Sequence, residues 1–585
     1  MENLHVLLEE KASSAIAKAF TDLSKEDTKA EIAPCLQEQF GHYQCNNALK
    51  LAKKLKKNPR EVAQQIVTNF DLDHDGKKMI EKLEIAGPGF INITLTSEFL
   101  SIQLDQALRD KHLGVRIPSK KEKIIVEFSS PNIAKELHVG HLRSTIIGDC
   151  IANLFEFFEQ EVLRLNHIGD WGTQFGMLIA FMKEKAPHVL EGKEKVDPTT
   201  LTEWYKSAKR LFDEDAAFQK RAYDEVVKLQ AEDPECINAW KIICDLSRVA
   251  YEEIYDLLNI HTTDRGESFY NPYLQKIVDE LDKKKMITVS DGAKCIYLEG
   301  FKNREGKPLP IIIQKSDGGF NYDTTDMAGF WHRTQVEKAD RIIVVTDAGQ
   351  SLHFKMIYAA AVKAGYIDPK KTHFDHVTFG LVLGADGKKF KTREGKTEKL
   401  LDLLLEAISY AKRILKERNP DLSEKEIDSL AKTLGIGAVK YADLSSLRTK
   451  DYTFSYEKML KLEGNTAAFL EYAFVRILGI KRKTKANMDQ VIKYAHISLE
   501  HPSEVSLGLH LRRFGEVLQI VSRDLLPNRL TDYLYELAEK FNAFFRDCRV
   551  EGSDKEKERL ALCEITAKIL EKGLNILGLQ TMSRM

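Results

Sequence analysis

Residues 124–149 read IIVEFSSPNIAKELHVGHLRSTIIGD, and this stretch decides the fold. Ile124–Phe128 is a short apolar run of the kind that forms a strand buried on both faces. Ser129-Ser130-Pro131-Asn132 is a cluster of turn formers. A helical pattern then runs from about Leu142 through Phe158, and Val162–Leu165 offers a second strand. Strand, loop, helix and strand make a βαβ unit, the entry to a doubly wound parallel sheet. At the start of that helix stands His138-Val139-Gly140-His141. A helix N-terminus offers free N–H groups and partial positive charge to phosphate. Gly140 admits an adenine ring close to the backbone, and His138 and His141 can donate to phosphate oxygens as charge shifts.

Around this unit the chain divides into three. Residues 1–115 read as an α+β domain, with helical spacing over Leu4–Leu23 and Asn47–Val67 and a strand from Ile85 to Leu95 broken at Gly87-Pro88-Gly89. Residues 116–400 read as a Rossmann-like catalytic domain with a helical insertion at about 185–310. Strands are expected again at Cys295–Leu298, Pro310–Ile313, Arg341–Val345 and Val377–Val382, in one interrupted sheet, with a helix at Ser351–Lys363. Residues 401–585 read as all-α.

A second basic motif follows about 250 residues later, Gly387-Lys388-Lys389-Phe390-Lys391-Thr392-Arg393-Glu394-Gly395. Its clustered cations suit a developing pyrophosphate. It is not a P-loop, because Phe390 holds the position of the leading glycine.

The 585 residues carry 87 Lys+Arg against 88 Asp+Glu, and 43% are hydrophobic. That excludes a largely disordered chain and calls for several domains. No apolar run reaches membrane-spanning length, and the acidic N-terminus is unlike a secretory signal, so a cytoplasmic protein is expected. Eight cysteines without a CxxC pair point to reduced, mostly buried thiols and no structural zinc. Net neutrality does not exclude a nucleic-acid partner, since residues 381–400 hold six cations against three anions and phosphate binding needs only a local stripe.

The two basic motifs, in this order, resemble the HIGH and KMSKS sequences of class I aminoacyl-tRNA synthetases. FSSPNIAKELHVGHLRSTIIGD at 128–149 and LNHIGDWGTQFGMLI at 165–179 narrow the resemblance to the arginyl-tRNA synthetases. AGPGFINITL, KSDGGFNYDTTD, TDAGQSLHF, KYADLSSLR and GNTAAFLEYAFVRI extend it over essentially the whole chain.

The resemblance implies ATP-dependent activation of L-arginine to arginyl-adenylate, then transfer to the terminal adenosine of tRNA(Arg), with Mg2+ accompanying ATP. It implies an arginine site at Glu127, Ser130, Asn132, His141, Tyr322, Asp326 and Gln350. A planar cation with five donors needs carboxylates and a hydroxyl or aromatic neighbour. Tyr322 and Asp326, four apart, share one face of a helix. ATP would meet His138, Gly140, His141, Asp347, Gly349 and Lys389. The loop departs from the wider class in carrying Thr392 where lysine is usual. Lys389, Lys391 and Arg393, with Lys135 before His138, are therefore expected to supply the missing charge. For tRNA, the resemblance and the run of cations and aromatics offer Phe40, Tyr43, Gln44 and Asn46 at the elbow. Arg448, Tyr452, Tyr472, Arg476, Lys481 and Arg482 are offered at the anticodon. A monomer is expected.

Overall fold

The structure, a computed structural model, describes residues 1–384, 386–388 and 399–585. The chain forms two compact units, one of residues 120–414 and 435–458, the other of 1–119, 415–434 and 459–585.

The first unit is built on five parallel strands: β1 (Lys123–Glu127), β2 (Glu161–Asn166), β3 (Thr263–Asp264), β4 (Arg341–Asp347) and β5 (His373–Phe379). Their order is β5-β4-β1-β2-β3, the doubly wound arrangement in which the chain reverses between β1 and β4. Four consecutive residues of β1, Ile124–Glu127, are buried, as a central strand covered on both faces requires. The covering helices include α1 (Val139–Phe157), α3 (Tyr322–Trp331) and α4 (Ser351–Lys363). Ile125, Ile342 and Val344 of the sheet pack with Met327, Phe330, Ile357 and Ala361 of α3 and α4 in one core. The insertion is helical, and its longest helix is α2 (Pro234–Leu258).

The expected single interrupted sheet needs correction. Ala293–Lys302 and Pro308–Gln314 pair antiparallel in a separate three-stranded sheet with Thr288–Ser290. The short connection between them can close a hairpin, whereas joining parallel neighbours takes a dozen or more residues. Nor is the chain after 400 wholly helical. Tyr452–Thr453 forms a strand beside Val382–Leu383.

In the second unit a four-stranded antiparallel sheet runs Ile32–Pro34, Tyr43–Cys45, Phe90–Leu95, Ile80–Ala86. The expected strand from Ile85 to Leu95 is thus a hairpin, with Gly87 at positive φ in its turn. The helical spacing at 47–67, punctuated in the sequence by Asn58-Pro59, forms two helices, because Asn58 caps a fresh start at Pro59 by accepting from Arg60 N. Helices from Ala467 to Ile576 make up most of the rest.

Candidate functional site

The crevice at the C-terminal ends of β1 and β4 is where a doubly wound sheet receives ligands. Glu127 pairs in register with Val344, and β4 continues three residues further to Asp347. Beyond Glu127, Ser129 and Ser130 both adopt positive φ, which turns the chain sharply out of the strand. The turn is held by Ser129 N donating to Ser144 Oγ and Ser130 N donating to Asn166 Oδ1, both at 3.0 Å. Ser144 Oγ in turn donates to Val345 O at 2.7 Å, so α1 stitches β1 to β4. Ser130 Oγ is buried without a hydrogen-bond partner. A buried hydroxyl in that state is unusual enough to mark a place for a ligand atom. Asn132 bridges to Gly169, whose missing side chain makes room: a Cβ there would lie 2.2 Å from Asn132 Oδ1.

His138 caps α1, and its Nδ1 accepts from Gly140 N at 3.0 Å. His138 N donates to His141 Nδ1 at 3.1 Å, so the two imidazoles close a capping box with ring centroids 4.1 Å apart. Because each Nδ1 is an acceptor, the neutral tautomer carries its proton on Nε2. Burial, then the neighbouring His138 and Lys135, lower the His141 pKa to about 4. His141 is therefore a neutral Nε2–H donor at the positive end of α1. Gly140 has a reason for being glycine beyond ligand approach: a Cβ would meet the His138 ring at 2.8 Å. Lys135 is exposed on the approach to α1.

Lys389, Lys391 and Arg393 lie outside the described residues. The chain returning from that loop is fixed to the same place. Lys399 bridges to His138, Leu400 N donates to Leu137 O at 2.9 Å, and Lys399 pairs with Glu136 at 2.6 Å. The chain that follows the second motif, from Lys399 on, thus returns to the N-terminus of α1.

The acidic part of the crevice contains groups the sequence reading did not single out. Glu127 is 5% exposed and already paired, its Oε2 2.5 Å from Arg333 Nη2. Against the cost of burial, the Glu127 charge keeps Arg333 firmly protonated. A π-helical turn at His332–Val336, directly after α3, carries Arg333. Tyr322 opens α3 and is 61% exposed, while Asp326, one turn on, receives His353 Nε2 at 2.5 Å. Glu267 lies in the same acidic region. Burial, followed by the charges of Asp326 and Asp170, pushes its carboxyl up to about 8. Glu267 stands apart from every motif, so no sequence signal pointed to it; His353 stands inside the TDAGQSLHF stretch, one turn after Gln350. Asp347 N-caps a short turn, accepting from Gly349 N at 2.8 Å and Gln350 Nε2 at 3.0 Å, and all three residues are exposed.

The residues offered for tRNA fall in different settings. Phe40 is 57% exposed and Asn46 is exposed, while Gln44 donates to Asn92 Oδ1 at 2.7 Å. Tyr43 corrects the expectation. It is fully buried, its hydroxyl donates to Glu516 Oε1 at 3.0 Å, and the Arg513 guanidinium lies 4.9 Å from its ring. A strand residue alternating into the core has no face left for RNA. Arg448 and Tyr452 also depart from the expectation, since both belong to the first unit rather than to the terminal helices. There Arg448 Nη1 donates to Thr378 O at 2.6 Å, and Tyr452 N donates to Leu381 O at 3.1 Å. Tyr472 and Phe545, 40% and 41% exposed, flank the Arg476 guanidinium at 4.7 and 5.2 Å, forming an aromatic platform on the helical surface. Lys481 pairs with Glu564 at 2.6 Å, and Arg482 is exposed. Among the described residues, no helix is long and apolar enough to cross a membrane.

Comparison with known proteins accounts for nearly the whole chain. Residues 103–456 match the family described as tRNA synthetases class I (R), catalytic domain. Residues 7–95 match the arginyl tRNA synthetase N terminal domain, and 470–585 the DALR anticodon binding domain. The arginine–tRNA ligase of Protochlamydia amoebophila is 60% identical, with 100% of both chains covered. That of Chlamydia felis is 50% identical over 96% of each. Among solved structures, the Plasmodium falciparum arginyl-tRNA synthetase matches at a TM-score of 0.87 and 33% identity, covering 100% of both chains. The Thermus thermophilus arginyl-tRNA synthetase, at 0.79 and 23%, shares the fold. With its parallel sheet, its histidine-capped helix and these relatives along its full length, the chain belongs to the class I arginyl-tRNA synthetases, the arginine–tRNA ligases.

Proposed function

We propose that the crevice between β1 and β4 is where arginine and ATP react, and that the residues described there divide the work. The observation that carries this reading is the histidine capping box on α1, two imidazoles held as Nε2–H donors at a helix N-terminus. The arginine carboxylate attacks the α-phosphorus of ATP, the bond to the β-phosphate oxygen breaks, and pyrophosphate leaves. The nucleophile is already ionised, so the site must position the reactants and stabilise charge rather than move protons. His138 and His141 bind the phosphates, with Gly140 beneath the adenine. Lys135 and the cations Lys389, Lys391 and Arg393 offset the charge that develops on pyrophosphate. Mg2+ enters with ATP as part of that substrate.

Asp347 and Gly349 lie where the ribose would be. Ser130, Asn132 and Gln350 take the amino and carboxylate groups of arginine. Its guanidinium is received by Tyr322 and Asp326, in a region where Glu267 has no cationic partner among the described residues. A guanidinium settling there would favour the ionised Glu267, so one buried charge stabilises another. Glu127, already held by Arg333, contributes as part of the pocket floor. In the second step the terminal adenosine hydroxyl of tRNA attacks the adenylate carbonyl and AMP leaves.

Exposed Phe40 and Asn46, with half-buried Gln44, would meet the tRNA elbow, and the Tyr472–Arg476–Phe545 platform with Lys481 and Arg482 the anticodon. Arginine-dependent ATP–pyrophosphate exchange, with and without tRNA, tests the reading. Exchange is expected in at least one condition and should fall for Lys135→Ala. A folded protein inactive in both conditions would overturn it.

A further inference from the structure

His353 lies on α4 and is given no role by the motifs, yet it touches both residues assigned to the guanidinium. Its Nε2 meets Asp326 Oδ2 at 2.5 Å, and its ring packs edge-on against Tyr322, with centroids 5.1 Å apart at 67°. Its other edge is equally committed, since Nδ1 lies 3.3 Å from Asp323 Oδ1. Asp323 is itself immobilised. It is 8% exposed, its Oδ2 accepts from Ile312 N at 3.0 Å, and its own N–H donates to Asn321 Oδ1 at 3.1 Å. Orientation is therefore passed outward from the Pro308–Gln314 strand to Asp323, then to His353, then to Asp326. A carboxylate that fixes one edge of an imidazole so that the other edge is aimed is a familiar positioning device.

We propose that His353 is a positioning and specificity-determining residue of the arginine site. It holds one oxygen of Asp326 and the ring of Tyr322 in place, leaving Asp326 Oδ1 to receive the guanidinium. This rests on the assignment of Tyr322 and Asp326 to arginine.

The chemistry follows from the donor inventory. Both ring nitrogens face carboxylates, so both donate and the ring is an imidazolium. Burial alone would favour the neutral ring, but the bonds to Asp323 and Asp326 override it and raise the pKa to about 9. On the sheet side His376 of β5, which burial lowers to about 4, adds no competing charge. A fixed cation behind Asp326 does two things. It keeps the Asp326 carboxylate from rotating, and it prevents a second oxygen from being offered to a smaller or differently shaped cation. Lysine, a compact point charge, gains less than a guanidinium from an oxygen held at one height and angle.

The test is ATP–pyrophosphate exchange by the full chain with tRNA present, measuring KM for arginine and for ATP separately. His353→Ala is expected to raise the arginine KM roughly 10–100-fold while the ATP KM stays within about two-fold. His353→Gln, which keeps one amide donor toward Asp326, should recover part of that loss. Asp323→Asn should raise the arginine KM by a smaller factor, about five-fold. Should His353→Ala fail to fold, the latter two variants carry the test. Equal rises in the arginine and ATP KM values would mean a merely structural residue and would overturn the proposal. An unchanged arginine KM in His353→Ala, with a raised one in Asp326→Asn, defeats the role of His353 and spares the pocket. An unchanged arginine KM in Asp326→Asn defeats the pocket assignment itself, and this proposal with it.

Discussion

Two clusters in this chain contain the same chemistry and do opposite things. Around Tyr43, a tyrosine, a carboxylate and an arginine close on one another: Tyr43 donates to Glu516, Arg513 covers the ring, and Arg513 Nη2 donates to His42 O at 2.7 Å. Around Tyr322, a tyrosine, a carboxylate and a histidine are joined as firmly, yet the tyrosine is 61% exposed and, among the described residues, Asp326 is held by His353 through one oxygen. The first cluster has spent its hydrogen-bonding capacity and the second has kept some. Residue type does not separate a structural network from a binding site; what remains unpaired does.

That contrast can be broken experimentally, most forcefully at the closed cluster. Glu516→Ala strips a buried acceptor from Tyr43 and the backbone of His5, and removes a buried charge that favours the Arg513 cation. A loss of about 3–5 kcal/mol in urea unfolding is expected, with the arginine KM of the folded enzyme unchanged. A variant as stable as the parent would show the cluster to be dispensable.

The open site should answer in the reverse sense. His141→Ala is expected to lower kcat for arginine activation by about 10²–10³, with the unfolding midpoint barely moved. If stability fell and kcat did not, the capping box would be structural only.

Alkaline pH gives a finer probe. The His353 pKa is raised to about 9, so its two ion pairs are complete below the ordinary histidine range and fade as pH rises through about 9. The arginine KM should climb there by up to about ten-fold per pH unit. His353→Gln should lack that component of the rise, which separates it from titration of the substrate amine.

The smallest effect is expected on the helical surface. Arg482→Ala should weaken tRNA binding modestly and reduce the salt slope by about 1. Lys481→Ala should do less, because Glu564 already takes part of its charge. A larger loss for Lys481 than for Arg482 would reverse that ranking.

Much of this was legible in advance for a physical reason. β1 and α1 carry periodic apolar patterns, and His138 and His141 stand three apart at a helix start, where local geometry alone brings them together. Tyr322 and Asp326, one helical turn apart, were legible on the same ground. Glu267 and Arg333 were not, because nothing in their own neighbourhoods distinguishes them from solvated charges. Arg333, in the π-turn after α3, finds Glu127 on a strand far away in the sequence. Tyr43 was misread because an aromatic within a polar stretch looks the same whether its strand faces RNA or core.

The sequence by itself determined the doubly wound sheet, the histidine-capped helix start and the family, since these rest on short-range periodicity and on residues fixed within a few positions of one another. The tertiary structure decided which groups are spent and which are open. It paired Glu127 with Arg333, joined Asp326 to His353, buried Tyr43 on Glu516, and brought Lys399 back to His138. Such outcomes depend on partners tens to hundreds of residues distant. Burial gives each pairing its energy, and burial belongs to the fold rather than to any segment of the chain.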